Sequence, residues 1–260
     1  MMNKYTIYIP SRKRYEKNLS LTANELLNDN INFKLVVEPQ DKINYKNIFN
    51  NKVLVMDKND MGIAYARNWI KQYSIDHKEA YHWQIDDNIK NFKIRKNNKN
   101  IKIEGYKNLK KAEEYVNQYN NIGAAGLKHA MFAWAAKNKI DFNKQVYTCV
   151  LFNNKPNIWW RDGLVEDTDY SLQLLTEGYC TLIFNRLIMD KVTTMTIKGG
   201  NTEISYEGDR RLIRAQGLQS MWPGIFKLGE QYGRVKVRPS QIWRTFKQRP
   251  GDTIIRKTLI

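Results

Sequence analysis

Over its first ninety residues the chain alternates short β-rich runs with helical stretches, a pattern that restricts it to an open α/β sheet. Tyr5-Thr6-Ile7-Tyr8-Ile9 is the first β-rich run, ended by Pro10. Ser11 to Tyr15 connect it to a helical stretch that runs through Leu27. Phe33 to Val37 form a second run, stopped by Glu38-Pro39, and Val53 to Met56 a third. From Gly62 to Tyr73 the residues Ile63, Ala66, Ile70 and Tyr73 recur on one helical face. Tyr81 to Ile85 are the fourth run and end in Asp86-Asp87-Asn88. Ligands of open α/β sheets bind beyond the carboxyl ends of the strands. Pro10-Ser11-Arg12, Glu38 and Asp86-Asp87-Asn88 all occupy such ends, so the pattern predicts that they converge.

The second half has weaker signals. Asn97 to Asn100 read as a polar loop and Tyr106 to Gln118 as a helix. Gly123-Ala124-Ala125-Gly126 is a turn or a close backbone approach. Gln145 to Phe152 read as a strand, Glu166 to Thr176 as a helix closed by Gly178, and Tyr179 to Phe184 as a further strand. From Gly199 onward the chain is turn-rich, then basic and aromatic. The expected organisation is a core over residues 1–198, with a basic C-terminal extension over 199–260 packed on it.

Two cysteines, Cys149 and Cys180, both in apolar surroundings, exclude a disulfide framework and suit a reducing compartment. The longest strongly apolar run, Ala130 to Ala136, is far short of the roughly 20 residues of a membrane span. The first residues are broken by Pro10 and Arg12 before a signal-peptide core can form. A soluble, cytoplasmic protein without a membrane partner is expected.

The net charge of +17 is local rather than diffuse. Residues 90–111 contribute +8 and residues 210–257 contribute +10, leaving the rest near −1. Arg210, Arg211, Arg214, Arg234, Arg238 and Arg244 fall in the second stretch. Localised charge of this kind points to a polyanion, with DNA as the expected partner, against the plainer reading of a solvated basic surface. The aromatics interleaved there (Trp222, Phe226, Tyr232, Trp243, Phe246) are read mainly as core.

Three motifs carry chemistry. Two adjacent carboxylates and an amide at a strand end, Asp86-Asp87-Asn88, suit Mg²⁺ or Mn²⁺, which take one or two carboxylates and complete their shell with phosphate and water. Read alone, the same string is also a common solvated turn. Gly62-Ile63-Ala64-Tyr65-Ala66-Arg67-Asn68 opens a helix with small residues that permit close packing on the sheet, and Arg67 would face phosphate. Glu166-Asp167 begin a helix, where the macrodipole favours acids. They could equally supply the general base that an acceptor hydroxyl needs.

An Ile-Pro-Ser-Arg strand end, a G-x-x-x-A-R-N helix, an I-D-D-N strand end and an E-D helix start, in this order, resemble the inverting GT-A glycosyltransferases over residues 5–185. Within them the chain is most similar to the TET/JBP-associated glycosyltransferases, a group of phage and kinetoplastid-type enzymes. Trp83-Gln84-Ile85-Asp86-Asp87-Asn88, Trp222-Pro223-Gly224 and Tyr232-Gly233-Arg234 carry that narrower match. The resemblance implies a mixed, mostly parallel Rossmann-like sheet flanked by helices. It also implies transfer of a sugar from a nucleoside diphosphate sugar, UDP-linked, to the hydroxyl of a 5-hydroxymethylpyrimidine in DNA. It implies that Pro10, Ser11, Arg12, Glu38, Gly62, Arg67, Asn68 and Asp86 bind the donor, that Asp87 and Asn88 hold the metal, and that Asp167, with Glu166 beside it, is the catalytic base. Two departures stand out: Asn88 replaces a third Asp of many relatives, and the histidines, His77, His82 and His129, all lie early. The rival readings are the same chemistry on a surface glycan or protein, a metal-dependent nuclease using Asp86, Asp87 and Glu104, and a non-catalytic DNA-binding module.

Overall fold

The structure, a computed structural model, describes residues 4–16, 19–192, 199–200, 209–231, 234–239 and 241–259. The expected boundary at residue 198 and the Tyr232-Gly233 pair lie outside the described residues, as do the side chains of Arg234 and Arg238.

The first half builds strands β1 (Ile7–Pro10), β2 (Lys34–Val37), β3 (Val53–Val55) and β4 (Tyr81–Ile85). Between them run helices α1 (Leu21–Asn28), α2 (Lys42–Phe49) and α3 (Gly62–Asp76). The second half adds β5 (Ile89–Lys96), β6 (Lys99–Ile103), α4 (Gly105–Val116), β7 (Ile122–His129), β8 (Ile140–Phe142), β9 (Cys149–Asn153), α5 (Glu166–Thr176) and β10 (Cys180–Lys191). After these come α6 (Arg210–Met221) and the hairpin β11 (Phe226–Gln231) and β12 (Arg234–Pro239).

Ten strands form one sheet in the order β3-β2-β1-β4-β9-β7-β10-β5-β6, with β8 beside β10. The ladders β3-β2-β1-β4 and β7-β10 are parallel, whereas β9, β5 and β8 run against their neighbours. The sheet is therefore mixed and mostly parallel, as the resemblance implied. Each face is covered. Ile7, Ile9, Leu35, Val37, Trp83 and Ile85 enter the larger core, while the alternate residues Tyr8 and Val36 meet Ala66 and Ile70 of α3 on the other face. This alternation follows from the two-residue period of a strand, and double coverage is why nearly every position in β1 and β2 is apolar.

Three expectations change. Gly123 to Gly126 form no turn but lie inside β7. The close backbone approach is real, since a Cβ on Gly123 would fall 2.6 Å from Leu174 of α5. The polar stretch at Asn97 is the turn of a hairpin, because Asn97 and Asn98 both take positive φ (47° and 59°), which suits a tight two-residue loop. Lys99 and Asn100 already belong to β6. β9 begins at Cys149 rather than Gln145, and β10 runs on to Lys191 rather than stopping at Phe184.

The C-terminal elements share a core with α5. Leu172 and Leu175 pack with Leu218, Ile225, Phe226, Ile242 and Phe246. Gly217 lets α6 close on the chain before α5, for a Cβ there would sit 2.9 Å from the Gly163 carbonyl. Trp222 donates to Asp169 at 2.7 Å. Both cysteines are buried free thiols. Among the described residues no helix is long and apolar enough to cross a membrane.

Candidate active site

Because β1, β2 and β4 are parallel, their carboxyl ends share one edge and open into a cleft of about 800 Å³. Pro10, Ser11, Arg12, Glu38, Gly62 and Arg67 line one wall of it. Asp86, Asp87 and Asn88 lie at its centre, and Glu166 and Asp167 line it from the start of α5. Asn68 does not reach the cleft. Its amide is paired in both directions with the Trp160 backbone, at 2.7 and 2.8 Å, so it fixes the loop before α5 and is not a donor contact.

Each carboxylate in the cleft faces a fixed cation. Arg12 holds Glu38 at 3.1 Å and also pairs with Asp60. Arg14 forms a buried ion pair with Asp87, and Ser11 Oγ donates to the other Asp87 oxygen at 2.7 Å. Burial pushes the Asp87 carboxyl above its ordinary value, against the pull of Arg14 and Ser11. Held on both oxygens and only 9% exposed, Asp87 anchors Arg14 on this wall. Gly199 and Gly200 close this wall. The Gly200 N–H donates to the Arg12 carbonyl at 2.8 Å, and a Cβ on Gly199, at φ 75°, would strike the Lys13 carbonyl.

Arg67 joins the two halves of the site. Only 3% exposed, it places Nη2 3.5 Å from Asp86 and 3.4 Å from Asp167. Gln84 orients it, donating to the Arg67 carbonyl at 3.1 Å and accepting from Nη1 at 3.4 Å. His82 lies behind Gln84 at 3.0 Å, and burial, followed by the charge of Lys71, drops its pKa to about 3. It is a neutral strut, as expected for a core histidine. His77 is exposed and stacks on Tyr73.

Asp86 and Asp167 differ in their proton affinity. Burial raises Asp86, but Lys191 and Arg67 outweigh it and hold the carboxyl below its ordinary value. For Asp167 burial dominates, reinforced by Glu166 and Asp86 and opposed by Arg67, and its pKa rises to about 7. Glu166 is held by Arg214, which also donates to the Leu164 carbonyl at 2.7 Å. The third acid of the helix start, Asp169, is fully buried on Arg161 and Trp222. Asp167 combines an open face on the cleft with a pKa suited to proton transfer near neutrality.

The sequence reading missed Lys191, His129 and Thr148. Lys191 Nζ lies 3.3 Å from Asp86 and 3.0 Å from Thr148 Oγ1. Thr148 takes a positive φ of 70°, costly for a β-branched residue, and its carbonyl accepts the Asp86 N–H at 2.7 Å. Lys191 and His129 are the last residues of β10 and β7, both parallel to β1 in direction, so the carboxyl-end rule covers them too. Ending β10 at Phe184 concealed Lys191.

A divalent ion here would find the more exposed carboxylate of the pair in Asp86, at 25% against 9% for Asp87. The Asn88 Oδ1 is buried with no hydrogen-bond partner and supplies a second oxygen. No group of three His, Cys, Asp or Glu residues that could hold a metal occurs among the described residues. This donor set fits an ion completed by phosphate oxygens rather than a closed protein cage. Glu104 stands outside the cleft at the start of α4, paired with Lys107, so the nuclease triad is not assembled.

The expected DNA-contacting arginines are dispersed. Arg211 and Arg214 line the cleft itself, whereas Arg210 and Arg244 are exposed. Arg234 and Arg238 lie on β12.

Comparison with known proteins follows this geometry. The model of the TET-Associated Glycosyltransferase family matches residues 5–200. No curated protein matches the chain. A crystal structure of GalNAc-T7 with UDP, GalNAc and Mn²⁺ aligns with 73% of this chain and 44% of that one, at 9% identity and a TM-score of 0.44. A structure of CMP:2-keto-3-deoxy-manno-octonic acid synthetase complexed with CTP aligns with 83% of this chain and all of that one, at 13% identity and a TM-score of 0.44.

Proposed function

The chain belongs to the TET-associated glycosyltransferase family and is a glycosyltransferase, and on that premise we propose that it transfers a sugar from a UDP-linked donor to a 5-hydroxymethylpyrimidine in DNA with inversion. The observation that carries this reading is Arg67, which binds the donor-side Asp86 and the acceptor-side Asp167 through one nitrogen. In this assignment Ser11, Arg12, Glu38 and Gly62 line the nucleoside pocket, and Arg14, Arg67 and Lys191 face the diphosphate. A divalent ion on Asp86 would add positive charge to the leaving group.

Asp167 takes the proton of the acceptor hydroxyl. That oxygen forms a bond to the anomeric carbon as the bond from this carbon to the diphosphate oxygen breaks on the opposite face. The nucleoside diphosphate departs with the bonding pair, and the configuration inverts. Glu166 holds Arg214 across the mouth, and Gly200, Arg211, Ala215, Val235 and Val237 of the C-terminal extension complete the cleft wall. Lys191 and Arg67 keep Asp86 ionised, so it does not compete for the proton.

The test is incubation with hydroxymethylated and unmodified DNA and labelled UDP-sugars. Label is expected on hydroxymethylated DNA alone. Failure to label any DNA would sink the acceptor assignment, and label on a glycan or protein instead would favour the rival acceptor.

A further inference from the structure

Beside the catalytic cleft lies a second, open groove of about 750 Å³. Tyr147 and Phe132 line both cavities, so the groove opens onto the catalytic mouth. The charge of Asp167 acts on the Tyr147 hydroxyl, which puts the proposed base at that junction. Four cations line the groove, Lys128, Lys137, Lys144 and Arg244, against one acid, Asp141. None of the four forms an ion pair with a described carboxylate. Burial, opposed by the charge of Asp141 and aided by that of Lys144, depresses the Lys128 ammonium.

The rim is the short 3-10 helix Ala130–Ala135. It carries Met131, Phe132 and Trp134 at 57, 49 and 76% exposure. Among the described residues, Phe132 and Trp134 are the only exposed Phe and Trp side chains. The helix is not loosely attached. Ala133 is fully buried, and the Met131 N–H donates to His129 Nδ1 at 3.0 Å. Two aromatic rings are thus presented to solvent on a fixed support, next to unpaired cations and one residue from the cleft wall.

We infer that this groove is the acceptor track: it holds the phosphates of a DNA strand on Lys137, Lys144 and Arg244 while Phe132 and Trp134 stack against its bases beside the catalytic mouth. The inference rests on the DNA-acceptor reading. Aromatic faces stack on any base, and unpaired lysines next to them meet the backbone. A pyrimidine inside a duplex must leave the stack to reach a buried carboxylate, and a ring at the rim can fill the gap it leaves. The track lies on the core, not on the arginine-rich extension, apart from Arg244.

The test compares the whole protein with W134A and with a K137A/K144A double variant. Binding of hydroxymethylated DNA is measured over a salt series, and binding of UDP is measured by calorimetry. Trp134→Ala is expected to weaken DNA binding by roughly tenfold. The double lysine variant is expected to flatten the plot of log affinity against log salt by about 1.4 to 1.8. UDP affinity stays unchanged in both. If the wild-type protein binds no DNA, the acceptor reading fails. If it binds DNA and both variants bind equally well, the acceptor reading stands and the track is wrong. Loss of a dimer on Trp134→Ala in sedimentation, with DNA affinity unchanged, would give the patch to self-association and also overturn the proposal.

Discussion

The two adjoining cavities hold their charges in opposite ways. In the catalytic cleft each carboxylate meets a cation, in the pairs Arg12–Glu38, Arg14–Asp87, Arg67–Asp86 and Arg214–Glu166. In the groove beside it, Lys137, Lys144 and Arg244 stand without a described acidic partner, next to exposed rings. Paired, partly buried charges make a rigid, preorganised pocket of low net charge that salt hardly reaches. Unpaired surface cations make a polyanion site whose affinity depends on salt. On the proposed assignment, the difference separates a part of the molecule that positions chemistry from one that captures a long, charged acceptor.

The largest effect expected is on Asp167. Asp167→Asn should cut turnover by roughly a hundred- to ten-thousandfold while UDP-sugar binding is retained, as steady-state kinetics and calorimetry would read. Equal loss of donor binding would remove Asp167 from the role of base. Its raised pKa has a second consequence. The unfolded chain loses this proton near 3.8 and the folded chain near 7, so the folded state binds more protons between these values. Stability contributed at this site therefore falls as pH rises from about 4 to about 7. Asp167→Asn should accordingly melt at a higher temperature than wild type at pH 8, and the gap should narrow toward pH 4.

Arg67 comes next. Arg67→Gln leaves Asp86 and Asp167 without their shared counter-charge and should cost about 3–5 kcal/mol of stability in denaturant titration. Because Arg67 lowers the proton affinity of Asp167, its loss moves the rising limb of the pH–rate profile from about 7 to higher pH. A profile that stays put would separate Arg67 from the base.

A smaller effect concerns the metal. Lys191 and Arg67 flank Asp86, so Mn²⁺ alone should give little heat in calorimetry, and binding should appear once UDP supplies phosphate oxygens. Tight Mn²⁺ binding without nucleotide would break the picture of a fully compensated cleft. The smallest expected effect sharpens the contrast directly. Between 50 and 200 mM salt, UDP affinity should change only severalfold while DNA affinity falls by orders of magnitude.

Much of the cleft was legible because parallel strands place their carboxyl ends on one edge. Recognising Tyr5 to Ile9, Phe33 to Val37 and Tyr81 to Ile85 as strands was enough to bring Arg12, Glu38 and Asp86 together. Glu166 and Asp167 were legible as acids at a helix start, a local signal. Lys191 follows the same rule but ends a strand read as stopping at Phe184, since Arg186 and Asp190 break its apolar run, and His129 ends a strand whose Gly123 to Gly126 read as a turn or close approach. Asn68 was misassigned because a polar residue on a helix gives no sign of which backbone it will meet ninety residues later.

Local sequence, then, determined the elements, the class of sheet and the acids at their ends, because strand period, helix period and turn residues act over a few positions. Only the tertiary structure decided which charges pair. Ser11 and Arg14 engage both oxygens of Asp87, Arg67 and Lys191 those of the more exposed Asp86, and Asp169 is buried while Asp167 faces the cleft. The same holds for Ala130 to Ala136, the longest strongly apolar run, which carries Phe132 and Trp134 on the surface. Burial and ion pairing depend on what the rest of the chain brings within a few ångströms, and that information is not stored near the residue itself.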